Sequence, residues 1–322
     1  MSTDDPFRNP GASRPPLALI AGPTASGKSD YAMALAQALI ARGRSPVIIN
    51  ADSAQLYADL PILSAAPPPE DTARVPHRLY GAWDGSVACS AADWAARASQ
   101  EIALAHARGQ TPILVGGTGL YIRTLLEGIA PVPAIDVAVR ETVRALPVAQ
   151  AYARLQQADP ERAAALHPAD STRIARALEV VLSTGQSLAH WQQRKEGGIG
   201  DQVALHPLIL LPERDWLYER CDRRFALMIE RGAVGEVEAL LARGLGEDMP
   251  VMRAIGVPQI AGYLRGMSNL EEARAQGSQA TRNYAKRQYT WLRHQPPADW
   301  PRKTGGFEKY IANASYFDIL LH

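Results

Sequence analysis

Gly22-Pro23-Thr24-Ala25-Ser26-Gly27-Lys28-Ser29 is the most informative segment of the chain. It satisfies G-x-x-x-x-G-K-[ST], the loop that cradles phosphates with backbone N–H groups. Its flanks agree with that reading. Leu17-Ala18-Leu19-Ile20-Ala21 is a short apolar run suited to a buried parallel strand. Asp30 to Arg42 is Ala/Leu-rich and helix-forming, with Gly43 as a stop. A strand that turns through glycines into a helix aims N–H groups and the positive helix end at one spot, which favours a phosphate. Lys28 would add a point charge to the outer phosphate, and the Ser29 hydroxyl would ligate Mg²⁺. The bland alternative is a glycine turn that only joins strand to helix. The motif makes the chain a candidate for nucleotide binding, ATP included, but does not say which phosphate compound it holds.

The 322 residues leave room for one large domain or two ordinary ones. At 47% hydrophobic and 21% charged, the composition is that of an ordinary soluble protein. No run of about 18 apolar residues occurs, so no membrane partner is expected. Residues 1–14 carry acids, prolines and glycine without an apolar core and read as a loose tail, not a targeting segment. Cys89 and Cys221 lie far apart in no ligand spacing, which fits a reducing cytoplasm and gives no cysteine metal site. The formal net charge is only +1, but from Val251 onward ten Lys/Arg face five Asp/Glu, so the C-terminal part is basic.

Outward from the loop, Val47-Ile48-Ile49-Asn50 is a second strand-like run and leads into Ala51-Asp52-Ser53-Ala54-Gln55-Leu56-Tyr57. Residues just past strand ends line the ligand crevice of an open parallel sheet, which would put Asp52 beside the loop. Asp52 or Ser53 could equally cap a following helix. Pro61 to Pro76 reads as an irregular loop, and His77 beyond it as structural. Ala91 to Arg108 reads as a helix, and Pro112-Ile113-Leu114-Val115 as a third strand running into Gly116-Gly117-Thr118-Gly119-Leu120-Tyr121. Phosphate-loop NTPases hold Mg²⁺ with an Asp at the end of such a strand. Here two glycines and a threonine stand there, which counts against a nucleotide hydrolase and leaves Asp52 as the strongest acid, either base or metal ligand.

Past Gly128 the pattern turns helical and rich in Ala and Arg, with Ile174, Leu178 and Val181 on one face and Arg173 and Arg176 off it. Leu205 to Leu211 is strand-like again, and Asp215 to Arg231 and Ala233 to Arg243 are amphipathic helices. On a helix over Thr281–Arg293, Arg282, Lys286 and Arg293 share one face, while Ala285, Tyr289 and Leu292 line another. The expected fold is α/β, a phosphate-loop NTPase-like parallel sheet core (15–128 with 203–322) carrying an all-helical insertion (129–202).

Taken together, these residues resemble the tRNA dimethylallyltransferases (tRNA isopentenyltransferases). The resemblance runs from about Pro16 to Arg293. It rests on the phosphate loop, on Asp52–Tyr57, on Gly116–Tyr121, on Arg173 with Arg176-Ala177-Leu178-Glu179, on Arg253-Ala254-Ile255-Gly256 and on the Thr281–Arg293 helix. It implies transfer of a dimethylallyl group from its diphosphate to the exocyclic amine of the adenosine just 3′ of the anticodon, with the insertion gripping the anticodon stem. By position, Gly22 to Ser29 would hold dimethylallyl diphosphate with Mg²⁺, and Asp52 would be the base. Asp52, Ser53, Ala54 and Gln55 would meet the flipped adenosine, and Thr118 and Arg140 would stand where tRNA and prenyl donor meet. Thr172, Arg173, Ile174, Ala175 and Arg176 would contact RNA, as would Arg253, Ala254, Ile255, Gly256, Val257, Pro258 and Gln259. Arg282 and Lys286 are assigned to the same RNA face.

Three positions depart from the family pattern. Thr172 stands where Gln is frequent, Val257-Pro258 replaces Tyr and a basic residue, and Ser64-Ala65-Ala66-Pro67 lacks the Lys that usually precedes that proline. The rival readings are a prenyl transferase acting on free AMP or ADP, a small-molecule kinase and a pure binding module. A monomer is expected.

Overall fold

A computed structural model describes residues 14–305 and 317, so the expected tail falls, apart from Arg14, outside the described residues. The chain runs β1 (Pro16–Ala21), α1 (Lys28–Ile40), β2 (Ser45–Asn50), α2 (Pro69–Arg74), β3 (His77–Arg78), α3 (Ala91–Ala107), β4 (Gln110–Gly116) and α4 (Gly119–Glu127). A series of helices follows: α5 (Val137–Arg144), α6 (Val148–Ala158), α7 (Pro160–Ala164), α8 (Ser171–Thr184) and α9 (Leu188–Gln192). The sheet resumes with β5 (Ala204–Leu210), and α10 (Arg214–Glu230), α11 (Ala233–Ala242), α12 (Val257–Leu264), α13 (Leu270–His294) and β6 (Arg302–Lys303) complete the order.

The six strands form one sheet in the order β3-β2-β4-β1-β5-β6, and every pairing is parallel. β1 is apolar without alternation because both faces are covered: Leu17 to Ala21 are all fully buried. On one face Leu35 and Leu39 of α1 pack onto Ile20, Ile48, Val115 and Leu208. The carboxyl ends of β1, β2 and β4 lie side by side, with Ala21 opposite Gly116 and Asn50 opposite Val115. The residues following those three ends are therefore brought together, and they are the phosphate loop, Asp52 and Thr118.

The chain divides into two compact units, Met1–Leu125 with Gly200–His322, and Leu126–Ile199. Within the second, Ile174, Ala177 and Leu178 of α8 pack against Leu155 of α6 and Val143 of α5. Asp170 caps α8 through the Arg173 N–H, and Gly185, at φ 69°, ends it in the left-handed conformation that glycine adopts without strain.

The segment Pro61–Pro76, expected as loop throughout, contains α2. Pro69 takes the first helical turn, where its missing N–H costs nothing, and Glu70 and Asp71 sit favourably at the positive end. The edge strands β3 and β6, two residues each, are too short for any periodic signal. Among the described residues no helix is long and apolar enough to cross a membrane, and Cys89 and Cys221 are both free thiols.

The glycines at the end of β4 have a steric cause. A Cβ on Gly116 would lie 2.1 Å from the backbone of Ala51, and one on Gly117 would lie 2.4 Å from Gln288 Nε2. A Cβ on Gly119 would strike the Trp291 ring at 2.2 Å. The strand end that carries a metal-binding Asp in other phosphate-loop enzymes has no room here for any side chain. Gly116→Ala should accordingly destabilise by about 3 kcal/mol, because backbone must shift. A thermal melt that overlays the parent's would contradict this packing.

Candidate active site

The loop between β1 and α1 is held from several sides. Gly22 N–H donates to Gly116 O at 3.1 Å, Arg220 Nε donates to Ala25 O at 2.9 Å, and Thr24 N–H donates to Gln288 Oε1 at 2.7 Å. Ala25 and Gly27 both have positive φ, 63° and 88°. Alternating right- and left-handed residues curl successive N–H groups into a concavity that suits an anion. Two buried polar atoms at the loop, Ser26 Oγ and Gln288 Nε2, have no hydrogen-bond partner. Buried polar atoms left without a partner are rare in folded proteins.

Lys28 opens α1 with its side chain buried, its Nζ 3.4 Å from Asp52 Oδ2. Burial pulls its pKa down, and the Asp52 charge opposes that pull. Asp52 stands beside the loop and also caps the turn that follows it. Its Oδ1 accepts from Ala54 N–H at 3.2 Å, capping a short 3₁₀ turn over Ser53–Gln55, while Oδ2 faces Lys28. The Tyr284 hydroxyl donates to the same Oδ1 at 3.3 Å. Asn50 fixes the carboxylate's backbone, its Oδ1 accepting from Asp52 N–H at 2.8 Å. Burial, then the nearby Asp52 charge, push the Tyr284 phenol upward, so it stays a donor to that carboxylate.

Around this pair lies a small cavity of about 50 Å³. Its polar wall is Thr24, Lys28, Ser29, Asp52, Gln55 and Arg224, and its apolar wall includes Leu60, Leu63, Phe225, Met228 and Ile255. Lys28 and Arg224 against Asp52 leave a surplus positive charge, so the site is set up for an anion. Arg224 also donates to Ser64 O at 3.4 Å, and burial lowers its pKa.

Thr118 stands next to the cavity, its hydroxyl 2.9 Å from Ser53 N and 3.1 Å from Ser53 Oγ. It holds the turn that follows Asp52. Gln55 is tied down by its Nε2 donating to Ala65 O at 2.8 Å. Of the Arg253–Gln259 stretch, Ala254 and Ile255 reach the cavity wall, while Arg253 is exposed and donates to Asp248 O at 2.7 Å. Val257 is buried, Pro258 is in the first turn of α12, and Gln259 accepts from Gly256 N–H at 3.0 Å.

Arg140 and Thr172–Arg176 belong to the helical unit. Arg140 and Thr172 are exposed, whereas Ile174 is fully buried and Ala175 half-buried, so the Ile174 side chain packs in the core and is not free for RNA. Three of the four expected phosphate-contacting cations are paired. Arg173 meets Asp170 at 2.7 Å, Arg176 meets buried Glu179 at 3.8 Å, and Arg282 bonds Asp222. Lys286 is exposed and makes no ion pair within the described residues. The surface pairs Arg173–Asp170 and Arg282–Asp222 contribute little to stability, so they do not prevent those two arginines from turning to another anion.

Arg224, Tyr284 and Gln288 escape a reading of the sequence. Tyr284 and Gln288, with Thr281, form a third face of α13 at spacings of three and four, between the two faces that the pattern made conspicuous. That spacing was the available signal. Arg224 had none, sitting in the charged run Asp222-Arg223-Arg224 of a helix that reads only as amphipathic.

Mg²⁺ prefers hard oxygens and keeps several waters, so it needs few protein ligands. Ser29 and Asp52 both line the cavity, and among the described residues no group of three or more His, Cys, Asp or Glu could hold a metal. One hydroxyl and one carboxylate fit an ion held chiefly by the phosphates it accompanies.

A parallel α/β sheet with a complete phosphate loop, and a carboxylate facing that loop's lysine across an apolar-walled cavity, defines an enzyme for a phosphate-bearing substrate. The chain belongs to the IPP transferase family, whose model matches residues 55–295. It is 65% identical over 289 residues to a tRNA dimethylallyltransferase of Erythrobacter litoralis (strain HTCC2594), covering 90% of this chain and 91% of that one. The fold is similar to the crystal structure of the full-length tRNA isopentenylpyrophosphate transferase from Bacillus halodurans, with a TM-score of 0.68, 33% identity, and 95% and 96% of the two chains covered. It is also similar to a eukaryotic dimethylallyltransferase captured acting on tRNA, with a TM-score of 0.79, 26% identity, and 95% and 78% covered.

Proposed function

We propose that the chain transfers a dimethylallyl group from dimethylallyl diphosphate to the exocyclic N6 amine of the adenosine 3′-adjacent to the anticodon in tRNA, releasing diphosphate. The observation that carries this reading is the Asp52 carboxylate 3.4 Å from Lys28, beside an apolar wall. Anion cradle, acceptor for a proton and a greasy surface for five carbons meet in one cavity.

An adenine amine is a weak nucleophile, because its lone pair is delocalised into the ring. The allylic carbon compensates by developing cationic character as the C–O bond to diphosphate breaks. Loop N–H groups, Lys28 and Arg224 neutralise the charge growing on the departing diphosphate. Mg²⁺, when held by Ser29, adds electrophilic help to the same leaving group. As the diphosphate engages Lys28, Asp52 Oδ2 loses its ion partner and becomes available to take the proton from N6. Proton removal of this kind contributes about 10²- to 10⁴-fold. The adenosine reaches Asp52 only by leaving the base stack, as enzymes that modify bases require. Exposed Arg140, Thr172 and Arg173 and half-buried Arg176 of the helical unit, and Arg253, Arg282 and Lys286, supply phosphate contacts to the anticodon stem-loop. A cytoplasmic, monomeric enzyme fits two free cysteines and a complete site within one chain.

Lys286→Ala should weaken tRNA binding independently of sequence and flatten the log affinity against log salt plot by about one unit. An unchanged slope, in this variant and with Arg173, Arg176 and Arg282 also replaced, would return these residues to a solvated face. The reaction itself is tested by offering dimethylallyl diphosphate with tRNA, AMP or ADP in parallel. Transfer to tRNA alone is expected, and transfer to the free nucleotides would favour the small-molecule reading.

A further inference from the structure

Arg223 and Arg231 have no part in the site described above. With Arg220 and Arg224 they line a cavity of about 660 Å³ whose opposite wall is Pro61, Ile62 and the segment Ala65–Pro69. This outer chamber shares Ala25, the segment Ala65–Pro68, Arg220, Arg224 and Arg231 with an inner chamber of about 300 Å³ lined by Ser26 to Asp30 of the phosphate loop. The inner chamber reaches the phosphate loop, and the outer one adjoins it through these shared residues.

The charge along them is lopsided. Four guanidiniums and no carboxylate line the outer chamber, and Lys28, Arg220, Arg224 and Arg231 outnumber Asp30 and Asp71 around the inner one. Arg220 and Arg224 are engaged with Ala25 O and Ser64 O. Arg223 and Arg231 are exposed and make no ion pair within the described residues. A charged stripe on an amphipathic helix is ordinarily a solvated face. This one instead lies across a cavity from a proline-rich wall that carries no charge, Ala66 included.

We propose that Arg223 and Arg231 form an anion-gathering vestibule through which the prenyl donor's diphosphate reaches the loop. They act through their field and touch no reacting atom. A cleft of one sign between low-dielectric walls raises anion encounter by about 10- to 10³-fold, an effect that salt removes. The proposal rests on the prenyl-transfer reading only for the identity of the anion.

The test uses the full chain with Arg223→Gln and Arg231→Gln combined, and binding of inorganic diphosphate by calorimetry as a readout independent of catalysis. The expected result is unchanged kcat and tRNA KM, and kcat/KM for dimethylallyl diphosphate about 10-fold lower at low ionic strength. The gap should close at high salt, and diphosphate affinity should follow the same salt dependence. Lysine at both positions should retain the parent values, which separates charge from folding. Adding Ala66→Lys to the glutamine variant should restore most of the loss, because that side chain lines the same chambers. Equal kcat/KM and salt slopes in variant and parent would overturn the vestibule, as would a salt-independent fall in kcat. If the parent binds diphosphate with this salt dependence yet prenylates no tRNA, the vestibule stands and the proposed reaction fails.

Discussion

Asp52→Asn is expected to lower the single-turnover rate of prenyl transfer by about 10²-fold or more while tRNA and dimethylallyl diphosphate still bind. The expectation follows from the division of labour between the two carboxylate oxygens. Oδ1 is committed to Ala54 N–H and the Tyr284 hydroxyl, and an amide oxygen can keep both bonds. Oδ2 faces Lys28 and the cavity, and there asparagine substitutes an N–H that takes no proton. The fold should therefore survive and the chemistry should not. If Asp52 acted mainly as a metal ligand, the variant would lose diphosphate affinity and recover in part at high Mg²⁺. If it were only the cap of the 3₁₀ turn, the loss would be about 1 kcal/mol of stability with activity intact. Single-turnover rates across a Mg²⁺ series separate the three, and a near-parental rate would end the assignment of Asp52 as base.

Lys28→Ala should reduce diphosphate affinity and bring turnover close to zero. One point charge and up to three donors disappear where charge accumulates on the leaving group, and removing even one such donor typically costs about 10²- to 10³-fold in rate. Arg224 remains in the cavity and keeps part of the affinity. Equilibrium binding of dimethylallyl diphosphate and the single-turnover rate check this together. Parental values for both would remove Lys28 from the site, and ATP turnover without prenyl transfer would favour the kinase reading.

What could be read in the sequence was local. Strand, glycine loop and helix are contiguous over Leu17–Arg42, so the phosphate loop and its parallel α/β setting announced themselves within one short window. Asp52 was legible for a related reason, since it follows a strand end and such positions converge in any open parallel sheet. Features that depend on distant contacts were not. The missing acid after β4 was visible as an absence, but its cause, the 2.1 Å approach of a Gly116 Cβ to Ala51, joins residues 65 positions apart. Arg224 shares its charged run with Arg223, and only the packing of α10 and α13 against the loop turns one of them inward. On α13 the pattern of Ala285, Tyr289 and Leu292 against Arg282 and Lys286 hid the third face. That face carries Tyr284 to Asp52 and Gln288 to Thr24.

The assignment that matters most joins, in this one cavity, a diphosphate leaving group to the N6 amine of one anticodon-adjacent adenosine. Nuclease mapping and mass spectrometry of tRNA after incubation with dimethylallyl diphosphate and Mg²⁺ test it most directly. The predicted result is one added dimethylallyl unit, confined to the adenosine 3′ of the anticodon, with one diphosphate released per modified tRNA. Unmodified tRNA, or a prenyl group spread over other adenosines, would contradict it.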